Sequence, residues 1–474
     1  MRHDIHPASS STRYPAHRSV SGPGRFLLLL CLAWAPALSL PGQSLPSLKI
    51  PRFGLHLVDK EEGLAAKCGA DARRCFVSWN QLEPQQGTYD YSFLDRAVEA
   101  SHRHGNLNVV VTLQPVSQWD GNIVTGPGGL PGGALPRNLA AWIECVRRTA
   151  ERYDGDGIDD QPDLRHPVSY WQVGNEFYQW QDSVDNYLTL LEQTRKAILS
   201  AHPSAKVILI AITGSELMAL EAGLTPDPLD YADVDGVKKK VYRQELQTGN
   251  EYARYRKNRD RSRDLLQRAG TGFDIADFHS YTIASDLVPA QLRWMRDQIG
   301  YRKPVWSLEC GGPMADYTPA EQSRQVVKRY VLGFASGVGA IFWGSLLTLP
   351  QWPQTFLDTA LMRRGLFFAA WKPKPAYHTY RLLTQKLARR PAVQDESPGP
   401  DCRLFRFHGN FGTCRIAWSE TPGGYRLHLP VEGPSVRLTR IVELPGQVNP
   451  ASVELPVVFG RVVIDLTSSP VFLE

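Results

Sequence analysis

The feature that most narrows the fold is an alternation running from residue 50 to about residue 390. Eight short β-branched or apolar runs, "RFGLHLV", "CFVSW", "LNVVVTLQ", "VSYWQVG", "KVILIAI", "FDIADFHS", "PVWSLE" and "VGAIFWG", are separated by longer stretches such as "YSFLDRAVEASHRHG" and "VDNYLTLLEQTRKAILSAH". Apolar residues in the long stretches recur at spacings of three and four, the period of a helix with one buried face. Eight βα repeats predict a closed (β/α)8 barrel of the TIM type. An open doubly wound sheet shares the alternation, but "GLHLVDKEEG" after the first strand lacks the glycine-rich phosphate turn that such sheets carry.

Beyond "WKPKPAYHTYRLLTQKLARR" the pattern changes to brief alternating runs, "RLFRFH", "CRIAWS", "YRLHLP", "VRLTRIV" and "RVVIDL", broken by Gly, Pro and Asn. Residues 391–474 therefore read as a small antiparallel, sandwich-like β-domain, with 391–401 as the join. At the other end, "RFLLLLCLAWAPA" is an apolar run after Arg25 that closes on Ala35-Pro36-Ala37, a small-x-small cleavage pattern. Residues 1–37 are expected to be a secretory signal. The run is shorter than the ~20 residues a membrane span needs, so no stable span is expected in the mature chain.

The formal charge is +5, and four arginines against one aspartate in residues 1–37 leave little of it to the remainder. Nothing in that balance points to nucleic acid. Export would allow the cysteines to oxidise; Cys402 and Cys414 flank a hairpin pattern and are the preferred disulfide, with Cys68–Cys75 a second pairing. No CxxC or HExxH suggests zinc.

In a TIM barrel, catalytic groups come from the C-terminal ends of the strands and the loops after them. "YWQVGNE" ends the fourth strand on Asn175-Glu176, and "KPVWSLE" ends the seventh on Glu309. Two carboxyl groups at one barrel mouth are the equipment for cleaving a glycosidic bond: one gives a proton to the leaving oxygen, the other attacks the anomeric carbon or activates water. A plainer reading of Asn175-Glu176 is a helix cap, since Asn is a favoured N-cap and Glu suits a first turn. The second glutamate weighs against it.

"SWNQLEPQQGTYDYSFLDRAVEASHRHG" after strand two, Asn175-Glu176, "DFHSY" at strand six, Glu309 and Trp343 at strand eight together resemble clan A glycoside hydrolases, nearest to families 39 and 5. The resemblance spans about residues 50–390. It implies a retaining enzyme with Glu176 as acid/base and Glu309 as nucleophile. It further implies Asn175 at the sugar 2-hydroxyl, Arg74 beside the nucleophile with Arg73 as the alternative one register away, and His279 and Tyr281 lining the site. Trp343 would offer a flat face to the sugar at the cleavage point. The sequence departs from the pattern in "TLQP", which lacks a histidine some members carry, and in Cys310 directly after Glu309.

Three further features stand out. Asp154, Asp156 and Asp160 in "YDGDGIDDQPD" have the oxygen spacing of a structural calcium loop, with a solvated Asp-Gly turn as the alternative. Residues 236–268 hold eleven Lys or Arg against four acidic residues and read as a solvated helical insertion after strand five. The long Gly/Pro-rich loop after strand three offers Trp119 as a subsite platform. The whole predicts an exported glycosidase acting on a glycoside, oligosaccharide or polysaccharide without a catalytic cofactor. The alternative is a glycan-binding barrel that has lost catalysis.

Overall fold

The computed structural model describes residues 45–56, 62–125, 131–232, 237–281, 284–300, 302–312, 316–344 and 373–474. Residues 1–37, expected as the signal, lie outside them. All eight predicted strands form: β1 Phe53–His56, β2 Ala72–Ser78, β3 Asn108–Gln114, β4 Tyr170–Val173, β5 Lys206–Ile208, β6 Ala276–Ser280, β7 Val305–Cys310 and β8 Ile341–Trp343. Parallel ladders join them in the order β6-β7-β8-β1-β2-β3-β4-β5, and parallel bridges Ile208–Ile275 and Ile212–Phe278 complete the circuit from β5 to β6. Helices follow each strand: α1 Glu62–Lys67, α2 Ser92–Gly105, α3 Leu139–Arg152, α4 Val184–Ala201, α5 Ala253–Arg268, α6 Leu287–Ile299, α7 Pro319–Ser336 and α8 Pro375–Leu387. No helix among the described residues is long and apolar enough to cross a membrane.

The strand pleat sorts side chains into layers. Ala72, Val110, Tyr170, Ile208, Ile275, Trp306, Leu308 and Phe342 form one apolar cluster inside the barrel. Two residues further along their strands, on the same face of the pleat, come Arg74, Thr112, Gln172 and Asp277, all fully or nearly fully buried. The barrel is thus filled with hydrocarbon below and a polar layer above, toward the strand C-termini. Gly54 faces inward too, and a Cβ there would lie 2.2 Å from the Phe342 ring, so β1 and β8 close on each other only with glycine at this point.

The ladder slips once beside the site. Asp277 pairs with Trp306 and His279 with Glu309 on one side of β7, while Ser307 pairs with Ile341 and Cys310 with Trp343 on the other. Two residues on each neighbour oppose three on β7, which is a β-bulge immediately before Glu309.

The basic stretch 236–268 is not a free insertion. Its first part forms a ribbon, Lys238–Val241 against Leu229–Ala232, and its second part is the barrel helix α5. Several of its arginines are held within the fold: Arg256 donates to the carbonyls of Leu246 and Gly249, Arg261 to those of Trp180 and Asp182, and Arg259 pairs with Glu221.

After α8 the chain enters the β-domain directly with a strand, β9 Ala392–Asp395, where the join was expected. Strands β10 Cys402–Gly409, β11 Gly412–Ser419, β12 Tyr425–Pro430, β13 Ser435–Arg440, β14 Ser452–Pro456, β15 Arg461–Leu466 and β16 Val471–Leu473 follow. Six make one antiparallel sheet, β9-β10-β11-β16-β13-β14, and β12 pairs with β15 in a second. The inner strands β10, β11 and β16 of the large sheet are buried on both faces. Leu404, Ala417 and Leu438 pack on Leu427, Leu429 and Ile464 of the small sheet. Phe405, Phe407, Ile416, Trp418 and Phe472 join the main core with the barrel helices. Arg324 of α7 pairs with Glu443 at 2.6 Å, and Thr379 of α8 donates to Val442 O at 2.9 Å, across the same contact.

Neither expected disulfide forms. The hairpin register sets Cys402 opposite Ser419 and Cys414 opposite Phe407, which separates the two sulfurs along the strands. Cys68 points its thiol to Ala65 O at the end of α1. All six cysteines among the described residues are buried, and none is joined in a disulfide.

Candidate active site

Each site residue is placed by the end of a strand. Val173 ends β4, Gly174 turns with φ +80, and Asn175-Glu176 keep pairing with the stretch after β5: Ala211 N donates to Asn175 O and Phe177 N to Ala211 O, both at 2.9 Å. Glu176 stands in extended conformation at the N-cap position of a short 3-10 turn, Phe177–Gln179, but its side chain makes no capping hydrogen bond, which weighs against the helix-cap alternative. Its Oε1 lies 2.7 Å from His279 Nδ1, and its Oε2 accepts from Gln179 Nε2 at 3.0 Å.

Glu309 rises from the bulge of β7, buried. Arg74 Nη1 donates to its Oε1 at 2.6 Å and Tyr281 Oη to its Oε2 at 2.6 Å, so both oxygens are held. His56 Nε2 stands 3.7 Å away and His279 Nδ1 3.5 Å away. Burial alone would push this carboxyl up, but the charges of His279, His56 and Arg74 and the Tyr281 hydroxyl hold it well below the usual carboxylate range. Glu309 is an ionised carboxylate with a fixed orientation.

Arg74 is the hub beneath the pair. Besides Glu309 its guanidinium donates to Thr112 Oγ1 at 2.9 Å, to Asn175 Oδ1 at 2.9 Å and to Gln172 Oε1. Arg73 turns the other way and pairs with Glu62 of α1 outside the strands, so the register choice between the two arginines falls on Arg74. Gln172 in turn accepts from Thr112 Oγ1 at 2.8 Å and donates to Asp277 Oδ2 at 2.7 Å.

His279 is enclosed by carboxylates: Glu176 and Glu309 at Nδ1 and Asp277 Oδ2 at 3.4 Å from Nε2. Burial lowers its proton affinity, but Glu309, Asp277 and Glu176 outweigh that and raise its pKa to about 10. The distance that matters most for chemistry follows from the same cluster. One carboxylate oxygen of Glu176, one of Glu309 and an imidazole nitrogen of His279 all lie within 4.8 Å of one another.

Asn175, Glu176, Arg74, His279, Tyr281 and Glu309 are therefore brought together. Trp343 ends β8 fully buried in the barrel wall, opposite Leu55 and Cys310 in the ladders. Trp119 packs its ring on Trp79 at 4.6 Å and gives its indole N–H to Glu83 O, and no described contact links it to the carboxylates. In the aspartate loop the structure gathers Glu151, Asp154 and Asp156, while Asp160 accepts the backbone N–H groups of Gly155 and Gly157. Burial first, then Asp156 and Asp160, raise Asp154 to about 7. His56, Gln172, Gln179 and Asp277 were not singled out from sequence. The signal was present for two of them, since "YWQV" and "IADFHS" interrupt apolar strands with a polar residue that has to find partners inside the barrel.

Solved structures that resemble this one can now be set beside that geometry. A family 39 glycoside hydrolase from the gut symbiont Bacteroides cellulosilyticus WH2 superposes with a TM-score of 0.62 at 14% identity, covering 90% of this chain and 82% of that chain. The chain has the fold of that structure. A glucosidase from Croceicoccus marinus gives 0.59 at 12% identity over 91% of this chain and 97% of its own. A monomeric beta-xylosidase from Caulobacter crescentus CB15 gives 0.53 at 14% over 91% and 97%. Residues 64–115 match the glycoside hydrolase family 42 model, described as Beta-galactosidase. That segment carries β2, Arg74 and the "WNQLEPQQGTYD" stretch. Among curated protein sequences none matches this chain. The likeness in fold extends over barrel and β-domain alike.

Proposed function

We propose that the protein is an exported retaining glycoside hydrolase, with Glu309 as nucleophile and Glu176 as acid/base. The observation that carries the reading is the approach of one oxygen of each carboxylate to within 4.8 Å of the other. Retaining glycosidases hold their carboxyl groups about 5–5.5 Å apart, whereas inverting enzymes leave roughly 6.5–9.5 Å for a water between them. The electrostatics supports the same division of labour. Glu309, ionised and gripped through both oxygens, attacks the anomeric carbon. Glu176 passes a proton to the departing oxygen and then takes one from the water that releases the sugar. Asn175 and Arg74 form one hydrogen-bonded unit with the nucleophile, which aims the Asn175 amide at the hydroxyl next to the reacting carbon. These steps use only side chains of this chain and call for no cofactor. The leader expected over residues 1–37 supports export.

A panel of aryl β-xylosides, β-glucosides and β-galactosides, followed by NMR of the product anomer, tests the reading. Turnover with retained configuration, lost in both Glu176→Gln and Glu309→Gln, is expected. Inverted product, or turnover untouched by both changes, refutes it. Glycan binding with no turnover on a broad panel returns the protein to the binding-module alternative.

A further inference from the structure

Asp277 is a buried carboxylate with 0% exposure and no role in the two-carboxylate chemistry. Its Oδ1 accepts the N–H of Leu308 at 2.8 Å, the amide that the β7 bulge takes out of the ladder. Its Oδ2 accepts from Gln172 Nε2 at 2.7 Å and faces His279 Nε2 at 3.4 Å. Gln172 cannot turn its amide around, because its oxygen already accepts hydrogen bonds from Arg74 and Thr112. Among the described residues His279 is the one cationic side chain that pairs with Asp277.

A buried carboxylate needs a charged partner, and an imidazole has to match what faces each nitrogen. At Nδ1 stands Glu176, with Glu309 behind it; at Nε2 stands Asp277. A neutral ring would turn a lone pair toward one of these carboxylates. Only the imidazolium presents an N–H to both sides.

We infer that Asp277 is a positioning residue that ties the bulge aiming Glu309 to the ring of His279, and keeps on that ring the proton that Glu176 delivers. The inference rests on the glycosidase reading. In the resting site His279 is the cation, and Glu176 and Glu309 are anions. As Glu309 bonds to the anomeric carbon its charge is consumed and the bond from that carbon to the leaving oxygen breaks. In the same step the proton moves from His279 Nδ1 to Glu176 and from Glu176 to the leaving oxygen, which leaves His279 neutral and Glu176 ionised. In the second half Glu176 takes a proton from the attacking water and returns it to Nδ1 as Glu309 is freed. Asp277 stays charged throughout and sets the ring's orientation in both states.

The test combines 15N NMR of the His279 ring, assigned with His279→Gln, and leaving-group kinetics of Asp277→Asn. In the unmodified protein both ring nitrogens are expected to be protonated at about pH 8, well above the range of an ordinary histidine. In Asp277→Asn the ring should titrate at least one pH unit lower. Its kcat/KM on poor phenolic leaving groups should fall by about a hundredfold, the scale of lost general-acid help. Dinitrophenyl glycosides need no such help, so their rates should fall at least about tenfold less than those of the poor leaving groups. Equal loss on both substrates with an unmoved ring pKa means a merely structural role and overturns the inference. A neutral His279 at that pH in the unmodified protein overturns it whether or not the variant folds. An imidazolium in a protein that turns over no glycoside would instead refute the glycosidase reading.

Discussion

Arg74→Leu removes the one side chain that touches Glu309, Asn175, Gln172 and Thr112 together. Breaking a buried ion pair from one side costs about 3–5 kcal/mol, because the remaining charge keeps its desolvation penalty without its partner. Here part of that is offset by His279, His56 and the Tyr281 hydroxyl, which still face Glu309. The balance should appear in two places. Glu309 has a folded pKa below its unfolded value, so it contributes stability that is present above about pH 4.3 and is lost as pH falls through the folded pKa. Without Arg74 that folded pKa rises, and the acid limb of kcat/KM should move to higher pH by about one to two units, equivalent to about 1.4–2.7 kcal/mol. Urea unfolding at pH 7 should show a further loss of about 1–3 kcal/mol from the three acceptors left without their donor. The measurements are a kcat/KM profile from pH 3 to 9 and an unfolding curve. An acid limb that does not move, with stability within about 0.5 kcal/mol of the parent, would show that Arg74 neither holds Glu309 ionised nor supports the polar layer.

Glu309→Ala should lose glycosidase activity and regain turnover on an activated glycoside with added azide, giving a glycosyl azide of inverted configuration; azide rescue without inversion would point to the acid/base position instead. Thiol titration should find Cys68, Cys75, Cys145, Cys310, Cys402 and Cys414 unreactive in the native protein and all reactive once it is unfolded in denaturant without reductant. Fewer reactive thiols than these would reveal a disulfide. Removing residues 391–474 strips the cover from the barrel helices formed by Phe405, Phe407, Ile416, Trp418 and Phe472. At about 1.5–3 kcal/mol for each large apolar side chain, the truncated barrel should be insoluble or unfolded, and a soluble, active fragment would contradict that packing.

The barrel was legible because parallel strands buried on both faces read as unbroken apolar runs, and because Glu176 and Glu309 sit where those runs stop. The layer beneath them was harder to see. Gln172 and Asp277 fall inside strands, where a single polar residue looks like noise until the neighbouring strands supply Arg74, Thr112 and the bulged amide of Leu308. No sequence period announces a bulge, so the partner of Leu308 N could not be anticipated. The disulfide error has a simpler cause. Two cysteines flanking a hairpin bond only if they are equidistant from its turn, and the Gly409–Gly412 turn pairs 402 with 419 and 414 with 407. The basic stretch misled because charge counting does not distinguish arginines in solvent from arginines that cap carbonyls within the fold, as Arg256 and Arg261 do.

The bulge ahead of Glu309 also makes the gap between the carboxylates a stepped quantity. Side chains alternate along a strand with a period of two, so the extra residue in β7 decides outright whether position 309 looks into the mouth or out to the helices. No sliding of β7 gives an intermediate setting. The finest adjustment left is a single methylene: shortening one glutamate to aspartate would withdraw its carboxylate by about 1.5 Å, which carries a gap of at most 4.8 Å toward the lower bound of about 6.5 Å for an intervening water. On the glycosidase reading, such a change opens the gap only part of the way toward that of an inverting site.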